Sequence, residues 1–434
     1  MKILFLCGGI GKRMYPLDED KFLLKFIGKE LILHHIDHLK ALGLKEEDFV
    51  FVCNPLNIEK LKQLCGEDAE YAEQETPKGM ANAVLTAKNL LRGDEFLIVN
   101  PNDVFEPSAY EKILKKKEGD SVILGHKVDK YFPGGYLIIK DEKIKSIVEK
   151  PGEGKEPSNL VNIVVHLHRN SNEFIQYLEK TESEQDDVYE RTMDRMMKDG
   201  FDFRVVEYAG FWTAIKYPWH IFNVMEYFLN KIDNKQVLND IKIPESAKIE
   251  GNVIIEAGAK IFENVVIKGP AYIGKDCIIG NNSLIRESNI GDKCVVGYST
   301  EIKHAYIGDE CWFHTNYIGD SIIGNGCSFG SGAVTANFRF DEKNISIKIE
   351  NVQVDTGLDK LGCIMANNCK VGVNSSIMPG VRIGSNSIMG AGTVVTRDLE
   401  PNKFLFFKGE QTLKEKRMDI IDKKKERMER IKRG

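Results

Sequence analysis

Hydrophobic positions follow two different rhythms along the chain. In the second half isoleucine stands at 243, 249, 255, 261, 267, 273, 279 and 285, an unbroken interval of six. The phase slips by one residue and resumes at Ile290, Val296, Ile302, Ile307 and Phe313, then at Phe329 and Thr335. After an interruption it returns at Met365, Val371, Ile377, Ile383, Met389 and Val395. A period of six fits neither an α-helix nor a lone amphipathic strand. It predicts the hexapeptide repeat of a parallel β-helix, with three short strands to a coil and one aliphatic side chain per strand pointing into a stacked interior. Glycine and asparagine between these positions supply turn conformations that branched residues resist.

The first half alternates short apolar runs with helical patterns. FVFVC (49–53), EFLIVN (95–100), SVILG (121–125), GYLII (135–139) and LVNIVVHL (160–167) read as strands, and Ile3 to Leu6 as another. KELILHHIDHLKALG (29–43), GMANAVLTAKNLL (79–91) and PWHIFNVMEYFLNKI (218–232) read as helices. Such alternation predicts an α/β unit with a largely parallel sheet and helices on both faces. The expected division is a first domain over 1–232, a β-helix over 241–400 and a charged helical tail over 401–434. Acidic residues interleave with basic ones in that tail, which favours a solvated cap or oligomer accessory over a membrane or nucleic-acid binder.

Composition narrows the setting. A formal net charge of −5 over 434 residues gives no global attraction to nucleic acid or anionic membrane, so substrate charge must be met locally. The nine cysteines include no C-x-x-C pair, which implies neither a disulfide framework nor a zinc site and fits a reducing, cytoplasmic compartment. No apolar run approaches the length of a membrane span or of a signal segment.

Candidate chemistry begins at CGGIGKRM (7–14), a glycine-rich, basic turn after the first strand. Such turns gather backbone N–H groups and cations around phosphate. A Walker loop fails because Arg13 follows Gly11-Lys12, and a dinucleotide fingerprint fails because Met14 stands where the third glycine is required. Further along come QETPKG (74–79), Asp103, GGY (134–136), EKP (149–151) and LVN (160–162).

In order and spacing these motifs resemble the sugar-1-phosphate nucleotidylyltransferase family, whose loop has the form L-x-x-G-x-G-T-R-M followed by a lysine. Leu6, Gly9, Gly11, Arg13, Met14 and Lys21 match, and Lys12 replaces the threonine. The resemblance implies a Rossmann-like nucleotidyltransferase domain in which a sugar-1-phosphate attacks the α-phosphorus of a nucleoside triphosphate, UTP or dTTP. Arg13 and Lys21 would hold triphosphate oxygens, and the Gly9 to Gly11 backbone would approach the nucleotide. Gln74 and Gly79 would contact the base, with Met80 following where a small residue is usual. Gly135, Glu149 and Asn162 would bind the sugar, Lys150 would lie near its phosphate, and Asp103 would coordinate Mg²⁺. The family also places a second metal-binding residue in W-x-D-x-G-x-P. Here the stretch is WTAIKYP, with Ala214 at the acid and Lys216 at the glycine. Either the site is degenerate, or Lys216 supplies fixed positive charge and metal demand falls.

The stretch from Glu301 to Asn344 resembles the acetyltransferase half of the bifunctional enzymes that acetylate glucosamine-1-phosphate and uridylylate the product, archaeal forms especially. The fold implied is a left-handed parallel β-helix of hexapeptide repeats. His314 and Tyr317 match an H-x-x-Y pair, Asn337 and Lys343 match a following asparagine and lysine, and Lys303 matches a sugar-phosphate lysine, with Arg286 a weaker candidate for an arginine. His314 would act as general base, Tyr317 and Asn337 would position the amino sugar, and acetyl-CoA would lie between coils in a homotrimer.

Two histidine pairs, His34 with His38 and His166 with His168, share faces but lack further ligands, so structural roles are expected. Cys277, Cys294, Cys311 and Cys327 recur at about three hexads and are expected to stack inside successive coils. The expected function is a bifunctional sugar-activating enzyme. Its alternatives are a single-activity hexose-1-phosphate nucleotidylyltransferase with an oligomerising β-helix, and a regulatory subunit that binds nucleotide sugars without turnover.

Overall fold

The computed structural model describes residues 1–185, 187–237, 241–409 and 424–433. The first unit is built on a nine-stranded sheet in the order 70–73, 49–53, 2–6, 96–99, 160–168, 121–127, 203–207, 143–149, 135–140. Strands Lys2–Leu6, Phe49–Cys53, Glu70–Glu73 and Phe96–Val99 are mutually parallel. Leu160–His168 runs antiparallel to both its neighbours, so the sheet is mixed rather than largely parallel. Alternate residues of each central strand enter opposite cores: Ile3, Phe5, Phe49 and Phe51 on one face, Leu4, Val50, Val52 and Ile98 on the other. Both faces are covered, which is why these strands read as unbroken apolar runs.

The six-residue rhythm becomes three sheets of eight short parallel strands, running from Gln236–Val237 to Phe404–Leu405. Ile249, Ile255 and Ile261 sit below Ile267, Ile273 and Ile279 in successive coils. The phase slip is a coil shortened at a corner: Ile273 stacks on Ile290, and farther along Phe313 stacks on Phe329 with ring centroids 5.2 Å apart. Ile318 and Ile323 continue two neighbouring columns through a further shortening, Ile318 stacking on Ile302 and Ile323 on Ile307. Ile323 then pairs with Met365, so the interruption is an insertion carried by one coil, holding an antiparallel hairpin of Ser346–Ile349 and Val352–Asp355. The cysteines stack as expected. Cys277, Cys294, Cys311 and Cys327 are buried, and each Sγ donates at 3.1 Å to a backbone carbonyl, of Gly291, Gly308, Gly324 and Ala366 respectively.

The two units share a core. The helix Ile221–Asn230 and the hairpin residues Ile345 and Ile347 pack with Tyr272, Tyr306, Ile322 and Ile364, which point outward from the first coil sheet. Lys25 Nζ lies 2.7 Å from Asp309, and the Ile27 amide donates to Asn289 Oδ1 at 2.9 Å. Of the tail, the helix Lys424–Arg433 is described, and residues 410–423 lie outside the described residues.

Candidate active sites

The first strand delivers the glycine loop to a cleft of about 960 Å³ at the carboxyl edge of the sheet. Gly9, Gln74, Gly79, Asp103, Gly135, Glu149, Lys150 and Asn162 all line it. Gly11 and Lys21 line an adjoining pocket that shares Gly9 and Asn102 with the cleft. Gly11 has φ 65°, in the left-handed region that favours glycine. A Cβ on Gly8 would collide with the Gln74 amide, whose nitrogen donates to Asn82 Oδ1 at 2.6 Å. Arg13 is exposed, its guanidinium 5.9 Å from the Tyr217 ring centroid. The Lys150 ammonium pairs with Glu149 at 2.8 Å.

Asp103 is buried and accepts a 3.3 Å hydrogen bond from Asn100 Nδ2. Burial pushes its carboxyl up to about 7, against the pull of Lys216 and Asn100. Trp212–Ala214 pairs antiparallel with Asp103–Phe105 in a register that sets Ala214 directly opposite Asp103. The side chain opposite Asp103 is therefore a methyl group. Two positions on, Lys216 lines the same cleft, its ammonium donating to the Pro133 carbonyl at 2.7 Å and lying 3.4 Å from the Phe132 ring centroid. Burial lowers Lys216 to about 8, opposed by Asp103, and burial with Arg13 beside it lowers Lys21 to about 8 as well. Asn100 and Asn102, on the turn before Asp103, were not singled out by sequence; the run NPND was their only signal.

The second group of residues lies on the coils. Glu301 and Tyr317 are register neighbours on one sheet, as are Arg286 and Lys303. Arg286 pairs with Glu301. Asn337 Nδ2 donates to the Tyr317 hydroxyl at 3.2 Å and to Asp320 Oδ2 at 2.5 Å, and Lys303 Nζ stands 3.6 Å from the same carboxylate. A Cβ on Gly319 would lie 2.5 Å from the Tyr317 hydroxyl and 2.9 Å from Asn337 Nδ2, so the absence of a side chain there makes the space. Lys303, Tyr317 and Asn337 are thus brought together. His314 is exposed just before Tyr317, its described hydrogen bonds made by its backbone, and Lys343 is exposed on the insertion. Asp320 and His304 belong to the group but were missed: each sits at a coil corner with φ near 45°, where it reads as turn punctuation.

Three of the discounted histidines, His34, His166 and His168, make structural contacts. His166 and His168 converge on the Tyr189 hydroxyl at 2.9 and 2.8 Å, and His34 Nε2 donates to the Phe26 carbonyl at 3.1 Å.

Residues 2–213 match the nucleotidyl transferase family, and residues 252–287 and 362–397 match the bacterial transferase hexapeptide (six repeats). The bifunctional protein GlmU of Methanococcus maripaludis (strain C7) is 34% identical over 446 residues, covering 96% of this chain and 100% of its own. That of Methanocaldococcus jannaschii is 33% identical, covering 94% and 98%. The bifunctional sugar-1-phosphate nucleotidylyltransferase/acetyltransferase of Sulfurisphaera tokodaii is 32% identical, covering 93% and 99%. Because this likeness runs through both the sheet and the coils, the chain belongs to the bifunctional sugar-1-phosphate nucleotidylyltransferase/acetyltransferase family.

Proposed function

We propose that the chain acetylates an amino-sugar-1-phosphate on its coils and transfers a nucleotidyl group to a sugar-1-phosphate in its cleft. The grouping of Lys303, Tyr317 and Asn337 beside the glycine gap at Gly319 carries this reading. In acetyl transfer the amine attacks the thioester carbonyl of acetyl-CoA, the C–S bond breaks and CoA leaves as thiol. His314 takes the proton from the amine, while Lys303, with Lys343 and Arg286, neutralises the sugar phosphate. A thioester donor held between coils calls for a second subunit, and a homotrimer is the proposed assembly.

In the cleft, Arg13 and Lys21 hold triphosphate oxygens, Gln74 and Gly79 meet the base, and Gly135, Glu149 and Asn162 meet the sugar, with Lys150 at its phosphate. Asp103 is the candidate Mg²⁺ ligand. The residues do not fit a magnesium held by two protein carboxylates, because Ala214 occupies the facing position and no cluster of three metal-ligating side chains occurs among the described residues. Lys216 instead offers a fixed ammonium in the same cleft, and positioning with charge stabilisation serves in-line displacement without a covalent enzyme intermediate. All nine cysteines are free and buried, which suits a reducing cytoplasm, and no helix among the described residues is long and apolar enough to cross a membrane.

The test is two assays on one purified chain. Thiol release from acetyl-CoA with glucosamine-1-phosphate or galactosamine-1-phosphate is expected, and His314→Ala abolishes it while leaving assembly intact. Pyrophosphate release with UTP or dTTP is expected from the cleft. Thiol release from neither amino sugar removes the acetyltransferase reading, and nucleotide binding without pyrophosphate release favours the regulatory alternative for the cleft.

A further inference from the structure

The Asn337 side chain is oriented by a chain of polar groups that crosses from one unit of the protein to the other. Its Nδ2 faces two oxygens, Asp320 Oδ2 and the Tyr317 hydroxyl. An ionised carboxylate only accepts, so the amide must present its nitrogen to Asp320, which commits both N–H bonds and leaves Oδ1 as a free acceptor. An acceptor is what the N–H bonds of an amine substrate require.

Asp320 is itself held. Its side chain is 5% exposed, and the other oxygen, Oδ1, lies 2.9 Å from His304 Nδ1. Burial works against its charge, yet the hydrogen bonds from His304 and Asn337, with Lys303 nearby, keep its carboxyl below the usual range. His304 Nε2 lies 2.9 Å from Glu226 Oε1, so both ring nitrogens face carboxylates and both donate in the imidazolium form. Glu226 lies on the helix Ile221–Asn230 of the first unit, and Phe222 of that helix stacks on the His304 ring at 4.7 Å between centroids. The same helix follows directly on the segment carrying Ala214 and Lys216.

We infer that Asp320, His304 and Glu226 are positioning residues for the amino-sugar acceptor, fixing the Asn337 amide so that its carbonyl oxygen meets the amine, and that the helix Ile221–Asn230 is therefore part of the acetyl-transfer site. This rests on the acetyltransferase reading of the coils. A bistable amide would present its oxygen to the substrate only part of the time: flipped, it turns Oδ1 onto the Asp320 carboxylate, loses that bond and offers the substrate a donor instead. Asp320, His304 and Glu226 are assigned to the amine acceptor and not to the thioester, which requires acceptor and donor to respond differently to their loss.

Steady-state acetyl transfer by the full chain, with the amino-sugar-1-phosphate that the unaltered protein turns over, reads this difference. Asp320→Asn is expected to raise the acceptor KM roughly tenfold, the scale of one lost charged hydrogen bond, with the acetyl-CoA KM unchanged. Glu226→Ala, at a half-exposed position on the other unit, is expected to raise the acceptor KM roughly two- to fivefold by loosening His304. If Asp320→Asn fails to assemble, the surface variant decides alone. An active unaltered chain with no acceptor-specific change in Glu226→Ala, or with both KM values moving together, overturns the inference alone. No acetyl transfer by the unaltered chain overturns the underlying function and the inference with it.

Discussion

Ala214 and Asp103 face each other across one antiparallel pair, so the side chain opposite the Asp103 carboxylate is a methyl and not a second acid. Asp103 is left buried with Asn100 and the ammonium groups of Lys216 and Lys21 as its charge partners. Burial holds both lysines near 8, which means that a triphosphate, by favouring the ammonium form, draws protons onto them when it binds above that pH. Calorimetric titration of UTP or dTTP at pH 8.5 in buffers of different ionisation enthalpy is expected to show net proton uptake. Lys216→Met should reduce that uptake and weaken binding; unchanged uptake would remove Lys216 from the anion site. The departure at WTAIKYP was legible in the sequence, because an alanine at an expected acid is visible without a fold. Its consequence was not, since only the strand register shows which group the methyl faces. His304 and Asp320 were hidden for a related reason: sixteen residues apart, they meet only because successive coils stack.

The coils show why the six-residue rhythm and its first slip were easy to read and the stretch between Phe313 and Phe329 was not. Each short strand needs one interior side chain, so Ile255 and Ile273 announce themselves; Ile318 and Ile323 follow Phe313 at steps of five, where two corners in a row lose a residue and the period of six is broken. Strands Lys143–Glu149 and Phe203–Glu207 escaped notice because their half-exposed faces break the apolar run. The cysteine column makes a sharper point about elements. Ser387 continues the same column and donates to the Glu400 carbonyl at 2.9 Å, as Cys369 does to Gly384 at 3.2 Å. The column therefore selects a small side chain with a donor rather than sulfur as such. Cys311→Ser is expected to change stability by less than about 1 kcal/mol, whereas Cys311→Leu should cost about 1–3 kcal/mol by overpacking a closed coil. Thermal melts of the two variants decide this, and a serine variant as unstable as the leucine one would defeat it.

At the scale of the whole molecule, the helix Ile221–Asn230 and the insertion hairpin join sheet and coils into a shared core, reinforced by charge at His304 and Lys25. The sequence marked the helix and the gap in the repeat, but not that they pack together, because their apolar faces carry no record of their partner. His304 makes this junction sensitive to pH. Burial alone would lower its basicity, but hydrogen bonds to Asp320 and Glu226 outweigh burial and raise it from about 6.5 to about 9. A group whose folded value is raised contributes stability that is fully present below the unfolded value and lost as pH rises through the folded one. The junction should therefore be tightest below pH 6.5 and should loosen between pH 7 and 9.5. Hydrogen exchange of peptides spanning residues 221–230, corrected for the intrinsic pH dependence, is expected to show protection falling across that interval. Lys25 faces Asp309 elsewhere on the junction and gains basicity from that contact, so it stays charged over the same range. His304→Gln, which carries no titrating proton, should flatten the profile at a uniformly lower protection. An unaltered slope in that variant would place the pH sensitivity elsewhere and reduce the imidazolium between Glu226 and Asp320 to a packing contact.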